Sequence, residues 1–337
     1  METFIFVANA VLPIILLIIL GYYLKQIHFY DDYFLRIANK FVFKIALPIL
    51  LFYNVYNIES LATVNGGIIL FAISMILILF CLGVLTVHLF IPKQKQKGVI
   101  LQCIFRSNFA IIGISLAESI GGSQAVAVAA ILSAFCIPLF NILAVVALSL
   151  FREEDSKPSV KSILKTIYKN PLVRGVILGI TCLVIRIYIP VDMVTKNPVF
   201  SLQKNLPFLY HAIKSLSTVA SPLALIVLGG QFKFSAVKEL IKEITLGTFW
   251  RLILAPGIAL MSALVLSHIT SFINITAVEY PALIALFGSP VAVSSAIMAG
   301  EMGSDEELAG QLVVWTSLLS MITLFIIVSI FKGIGIF

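Results

Sequence analysis

Asn108 stands in a stretch whose residue types could bind a polar ligand inside a membrane. The run from Lys97 to Gly122 is apolar enough to cross a bilayer, yet it carries Arg106, Ser107, Asn108, Gly113, Ser115 and Glu118. A lipid-facing span would lose several kcal/mol by placing such groups in hydrocarbon. Counting inward from Gly98 at about 1.5 Å per residue puts Asn108 roughly 15 Å deep, about half of a ~30 Å hydrocarbon core. Its side chain there offers two N–H donors and a carbonyl acceptor. One reading is a helix loosened at mid-depth around a cavity, as in carriers that bind their substrate at interrupted helices. The other is an ordinary span whose polar groups bond neighbouring helices.

A second stretch of the same character runs from Glu279 to Gly303, EYPALIALFGSPVAVSSAIMAGEMG. Pro290 falls roughly 16 Å inward and takes a donor out of the helix ladder. Gly288, Ser289, Ser294 and Ser295 surround it. A polar, broken segment at mid-depth is tolerated only where protein or a water-filled cavity covers it. The remaining charged groups have plainer readings. Arg106 lies two residues from Asn108, so on a continuous helix the two face different sides. It either counters an anionic substrate or snorkels towards the cytoplasm; snorkelling is the plainer of the two. Lys44, one turn before Pro48, has the same two readings, and Glu118, Glu279, Glu301, Arg251 and the four histidines are read as lying near span ends or in loops.

These stretches belong to a chain of 337 residues that is 60% hydrophobic and 12% charged, about half the charge of an ordinary soluble domain. Apolar runs of about 20 residues recur throughout, which implies a polytopic membrane protein. The first run begins near Phe4 without a basic leader and reads as a retained span. Ten helical spans are expected, near 4–24, 34–56, 66–91, 98–120, 124–150, 171–190, 206–230, 246–268, 280–301 and 308–331. The net charge of +7 fits basic cytoplasmic loops rather than a nucleic-acid surface. Lys93, Lys95 and Lys97 follow span three; Arg152, Lys157, Lys161, Lys165 and Lys169 follow span five; Lys233, Lys238 and Lys242 follow span seven. These loops alternate with others poor in positive charge, so both termini are expected outside the cell; Lys196 and Lys204 are a mild exception. Residues 160–169 have the spacing of a short amphipathic helix on the inner leaflet, although a basic linker between two halves would explain them as well.

The order of small residues and prolines repeats. Pro13 and Gly21 in span one match Pro171 and Gly179 in span six, and ALPILL from Ala46 to Leu51 in span two matches ASPLAL from Ala220 to Leu225 in span seven. Five spans per half is an odd number, so the second half must enter the membrane inverted, an arrangement found in transporters. The division expected is a first repeat over 1–150, a cytoplasmic linker over 151–170 and a second repeat over 171–337.

Taken in order, LPIILLIILGYYLK at 12–25, NKFVFKIALPILLF at 39–52, NFAIIGISLAESIGG at 108–122, KNPLVRGVILG at 169–179, SPLALIVLGGQF at 221–232 and the Pro290 region resemble the auxin efflux carrier family. In bacteria that family includes proteins described as malate or malonate permeases. The resemblance implies an all-α polytopic membrane protein of ten transmembrane helices, built as two inverted five-helix repeats. It also implies that helices four and nine break and cross at the centre, forming the site for an organic anion. In the family pattern an Asn precedes Gly-x-Pro in span four. Asn108 and Gly113 match, whereas Ser115 stands where proline is usual. The candidate substrate-binding residues are therefore Asn108, Gly113, Ser115, Ser289, Pro290, Ser294 and Ser295, with Arg106 as the candidate charge partner.

The chain contains no phosphate-binding loop, dinucleotide fingerprint, metal-ligand cluster or nucleophile motif. Cys81, Cys103, Cys136 and Cys182 lie in apolar runs without C-x-x-C spacing, so neither disulfide nor metal is expected. The expected function is a secondary carrier for small organic acid anions such as dicarboxylates in the cytoplasmic membrane. The alternatives are a passive anion channel or uniporter on the same helices and, more remotely, a membrane-embedded enzyme. No cofactor is expected. Coupling to protons, coupling to sodium and uniport all stay open, as does a homodimer.

Overall fold

The computed structural model describes residues 2–57, 66–152, 160–190, 199–269 and 275–336. The regular structure of these residues is helical, apart from one isolated antiparallel bridge between Ser107 and Val291. Helix α1 (Glu2–Gln26) is followed by α2 (Asp32–Phe41), which runs through a π turn (Val42–Ala46) into α3 (Leu47–Tyr56). Then come α4 (Gly66–Phe90), α5 (Gln94–Phe105), a π turn (Phe109–Gly113), α6 (Ile114–Leu150), α7 (Val160–Lys169) and α8 (Pro171–Tyr188). The second part holds α9 (Leu202–Asn205), α10 (Pro207–Gln231), α11 (Ala236–Glu239) and α12 (Ile241–Phe249), which passes through a π turn (Trp250–Leu254) into α13 (Ala255–Ile269). It ends with α14 (Tyr280–Gly288), α15 (Ser294–Glu301) and α16 (Glu306–Gly333). Residues 153–159 of the expected linker lie outside the described residues.

The π turn before α3 follows from Pro48, which has no N–H and leaves the helix ladder one donor short. The Leu47 N–H bonds instead to the Val42 carbonyl, one residue further back than in an α-helix. The same register shift precedes Pro256, where the Ala255 N–H reaches the Trp250 carbonyl. Gly122, at φ 66°, breaks α6 into a short first part and a long second part. Only glycine takes that backbone geometry without strain.

Among the described residues, five helical stretches are long and apolar enough to cross a membrane: Gly66–Phe90, Leu116–Leu150, Pro207–Gln231, Ile241–Ser267 and Glu306–Gly333. Their outward side chains include Leu85, Met261, Val265 and Ile322, all largely exposed, as a lipid-facing surface requires.

Two helix pairs approach backbone to backbone. A Cβ placed on Gly21 of α1 would stand 2.1 Å from the Ile226 carbonyl oxygen of α10, and one on Gly175 of α8 would stand 2.4 Å from the Pro48 carbonyl oxygen of α3. Gly229 and Gly179 continue these seams against Ile18 and Val55. Since α10 also packs on α3, helices α1, α3, α8 and α10 form one group. Helices α5, α6, α14 and α15 form another, with α4, α12, α13 and α16 packed round it.

Candidate functional site

The segments expected as spans four and nine are each interrupted, and the interruptions meet. Helix α5 stops at Phe105, and the chain is extended at Arg106 (φ −92°, ψ 115°) before helical structure resumes at Phe109. Helix α14 stops at Gly288, Ser289 is extended, and α15 starts at Ser294. Between the breaks Ser107 lies opposite Val291, and the Asn108 N–H donates to the Pro290 carbonyl at 2.8 Å. The Val291 N–H donates to Thr316 Oγ1 of α16 at 3.2 Å. Pairing across the breaks thus supplies partners for backbone groups that proline and chain extension remove from the helix ladders.

Arg106 does not snorkel. It is 2% exposed, and its guanidinium turns into the crossing. It donates to Gln102 Oε1 at 2.9 Å, Asn141 Oδ1 at 2.8 Å and Ser294 Oγ at 2.8 Å, and also touches the Met298 sulfur. Asn141 is oriented for this by its own bond to the Ile137 carbonyl, 2.8 Å away and one turn back. All these partners are neutral; among the described residues no carboxylate pairs with Arg106. Asn108 is buried beside it, and its side-chain Nδ2 has no hydrogen-bond partner among the described residues. The Ser107 hydroxyl is likewise buried and unpartnered.

These groups line a cavity of about 40 Å³. Its other walls are Leu47, Leu50 and Leu51 of α3, Ile137 and Phe140 of α6, Leu172 of α8, Ser221 and Ala224 of α10, and Ala292 to Ser294 entering α15. The first turn of a helix carries partial positive charge. A guanidinium placed against the first turn of α15 adds charge of the same sign. What the cavity offers a ligand is therefore donors and positive potential. A much larger recess, about 690 Å³, is lined by Lys25, Lys95 and Lys233 together with Asp32, Asp305, Glu306 and Glu307, and reaches Ala296 of α15.

A protein-family model described as "Membrane transport protein" matches residues 6–328 of the chain. The chain belongs to that family. The match spans both broken segments and nearly the whole sequence, and the family is that of the auxin efflux carriers, which the sequence motifs resemble. The protein is accordingly a multi-pass membrane transport protein, not an enzyme. No curated protein matches the chain.

Of the residues singled out from the sequence, Arg106, Asn108 and Ser294 face the family member's central cavity, and Pro290 provides the carbonyl that anchors Asn108. Ser289 does not join them: it is fully buried, and its hydroxyl donates back to the Ala285 carbonyl at 2.5 Å. Ser295 is buried, with an unpartnered hydroxyl, but is not part of the cavity wall. Gly113 packs under the Phe109 ring, where a Cβ would stand 2.1 Å from a ring carbon. Ser115 lies in the first turn of α6, and its side chain is outside what the structure describes. Lys44 is exposed and away from the cavity.

Gln102 and Asn141 escaped the sequence reading. Gln102 sits four residues before Arg106, and in the continuous span expected from the sequence that spacing could have flagged the pair. Asn141, one turn after Pro138 in an apolar run, carries the same mid-span amide signal as Asn108. Arg251 was read as lying near a span end, and that is corrected by the structure. It is 0% exposed, donates to the Ile104 carbonyl at 3.2 Å and also donates to the Phe287 carbonyl.

Proposed function

We propose that this membrane transport protein is a secondary carrier that moves small organic acid anions, such as dicarboxylates, across the cytoplasmic membrane by alternating access. The observation that carries the proposal is Arg106, a buried guanidinium with neutral partners only, next to the free Asn108 amide at the meeting of two broken helices. A buried charge without a counter-ion is held at a desolvation penalty of several kcal/mol. An arriving carboxylate would offset it with a planar, two-point ion pair. In this reading Asn108 donates to the substrate, Arg106 supplies charge, Ser294 is shared between Arg106 and substrate, and Pro290 fixes the Asn108 backbone.

The cavity supports a gated carrier over an open channel. At about 40 Å³ it has room for about two or three waters and is too small for a dicarboxylate. Substrate entry therefore requires this cavity to widen, which movement of α1, α3, α8 and α10 against the group holding the crossing, sliding at the α1–α16 contact, would accomplish. A passive channel or uniporter with the same helices is the alternative.

The packing seams support the inverted-repeat reading. Gly21 meets Ile226, one turn beyond Pro222, while Gly179 lies near the carbonyl of Phe52, one turn beyond Pro48. Equivalent residues of the two halves thus face each other crosswise, as a two-fold axis in the membrane plane would require. We also assign both termini to the outside. Lys25, Lys95 and Lys233 gather at one end of the molecule, and basic loops face the cytoplasm.

The test is uptake of radiolabelled malonate and malate into proteoliposomes, with and without sodium, at several pH values. Saturable uptake, competed by other dicarboxylates, is expected. Flux that stays linear with concentration favours the channel, and an absence of flux for all mono- and dicarboxylates rejects the assignment.

A further inference from the structure

Among the described residues Arg251 is the largest fully buried side chain, and it belongs to neither broken helix. Its two bonds go to Ile104, the residue before the end of α5, and to Phe287, the residue before the end of α14. These carbonyls lie in the last turns of their helices, where backbone acceptors have no partner further along the helix. Each helix end carries roughly half a negative charge. Both ends are buried at the crossing, so two negative poles face the same point. Such a point calls for a cation, and half-helix C-termini in carriers coordinate sodium or protons. Here the π turn Trp250–Leu254 sends a guanidinium to it. Among the described residues Arg251 has no carboxylate partner. The carbonyl poles are its counter-charge.

We propose that Arg251 is a built-in replacement for a coupling cation: it fills the cation position between the two helix ends, so that anion transport proceeds without sodium. The proposal rests on the carrier reading given above and adds its coupling behaviour. Arg251 is a positioning residue. It holds the C-terminal ends of α5 and α14 together on one side of the crossing, while Arg106 and Asn108 face the cavity. A neutral side chain at this position would leave the two poles exposed to each other, in a space that a small cation could enter.

The experiment compares the parent with Arg251→Ala, Arg251→Gln and Arg251→Lys as purified full-length protein. Thermal melting is followed in sodium chloride, in choline chloride at equal ionic strength, and with added methylguanidinium. The parent and Arg251→Lys should melt at the same temperature in sodium and in choline. Arg251→Ala and Arg251→Gln should melt lower in choline and recover by at least about 2 °C in sodium or methylguanidinium. In proteoliposomes, malonate uptake by the parent should be unchanged when choline replaces sodium. Uptake by the neutral variants should fall and then rise with sodium.

Neutral variants that match the parent in melting and ignore cations would overturn the proposal, and so would a parent stabilised or driven by sodium. Should the neutral variants fail to be recovered from membranes, Arg251→Lys decides. Its recovery with cation-indifferent melting supports the proposal; its loss, or melting that climbs with sodium, overturns it. Melting does not depend on transport. A parent that takes up no organic anion therefore defeats the carrier reading while the melting comparison still judges the cation position.

Discussion

Replacing Arg106 with methionine should separate binding from stability. The guanidinium is buried and donates to Gln102, Asn141 and Ser294. Losing it leaves up to three acceptors without that donor, at about 1–3 kcal/mol each if none finds another partner. Two effects work the other way. Ser294 is partly exposed, and its hydroxyl can turn towards water. The removed cation also had no carboxylate partner, and releasing an uncompensated buried charge recovers several kcal/mol. These opposing contributions are of similar size, so folding stability should change by no more than about 2 kcal/mol. Binding has no such compensation. Loss of a charged hydrogen-bonding partner to a carboxylate weakens association by about 1.5–3 kcal/mol, which is about 10- to 150-fold in Kd. The assay is titration calorimetry of the purified variant with malonate or malate, beside thermal melting of the same sample. A folded Arg106→Met protein that binds within about twofold of the parent would refute the role given to this residue. A collapse in melting temperature would instead make Arg106 a strut between α5, α6 and α15.

Asn108→Ala should remain in the membrane, because it removes an unpartnered donor, and should lose about 1–3 kcal/mol of substrate affinity; Asn108→Asp should transport less than Asn108→Ala, and the order is read from uptake at matched expression. Gly21→Ala should destabilise by about 1–3 kcal/mol, since its Cβ would stand 2.1 Å from the Ile226 carbonyl oxygen. Gly257→Ala, with open space around its Cβ, should be neutral or stabilise by up to about 1 kcal/mol; melting curves in the same detergent compare the two. Cysteines replacing Lys95 and Lys161 should be shielded from an impermeant thiol reagent in intact cells and react after permeabilisation, and labelling of both from outside would reverse the assigned orientation.

How much of this was legible beforehand follows from what hydrophobic spacing reports. An apolar run of the right length reports that a helix lies in hydrocarbon. A polar or proline interruption reports how far along that run the helix fails. The interruption around Pro290 was therefore visible, and the polar stretch around Asn108 was visible as either a loosened helix or an ordinary span. The break itself falls at Arg106 to Asn108 and not at Gly113 and Ser115, which are helical. The family followed from the order of short motifs over nearly the whole chain. Depth along a helix is fixed by counting residues, because the rise per residue is constant.

The direction in which a side chain points is decided by the neighbours packed against it, and only the tertiary structure supplies those. Arg106 has the stem length to snorkel, and sequence alone favours that. Extended backbone at the end of α5 instead turns it towards Asn141 and Ser294, which lie far from it in the chain. Ser289 looked like a ligand but spends its hydroxyl on its own helix. Arg251, read as a span-end residue, lies between the ends of two helices from opposite halves of the chain. A charge meets its counter-charge in space, and the sequence separation of the partners carries no record of that meeting.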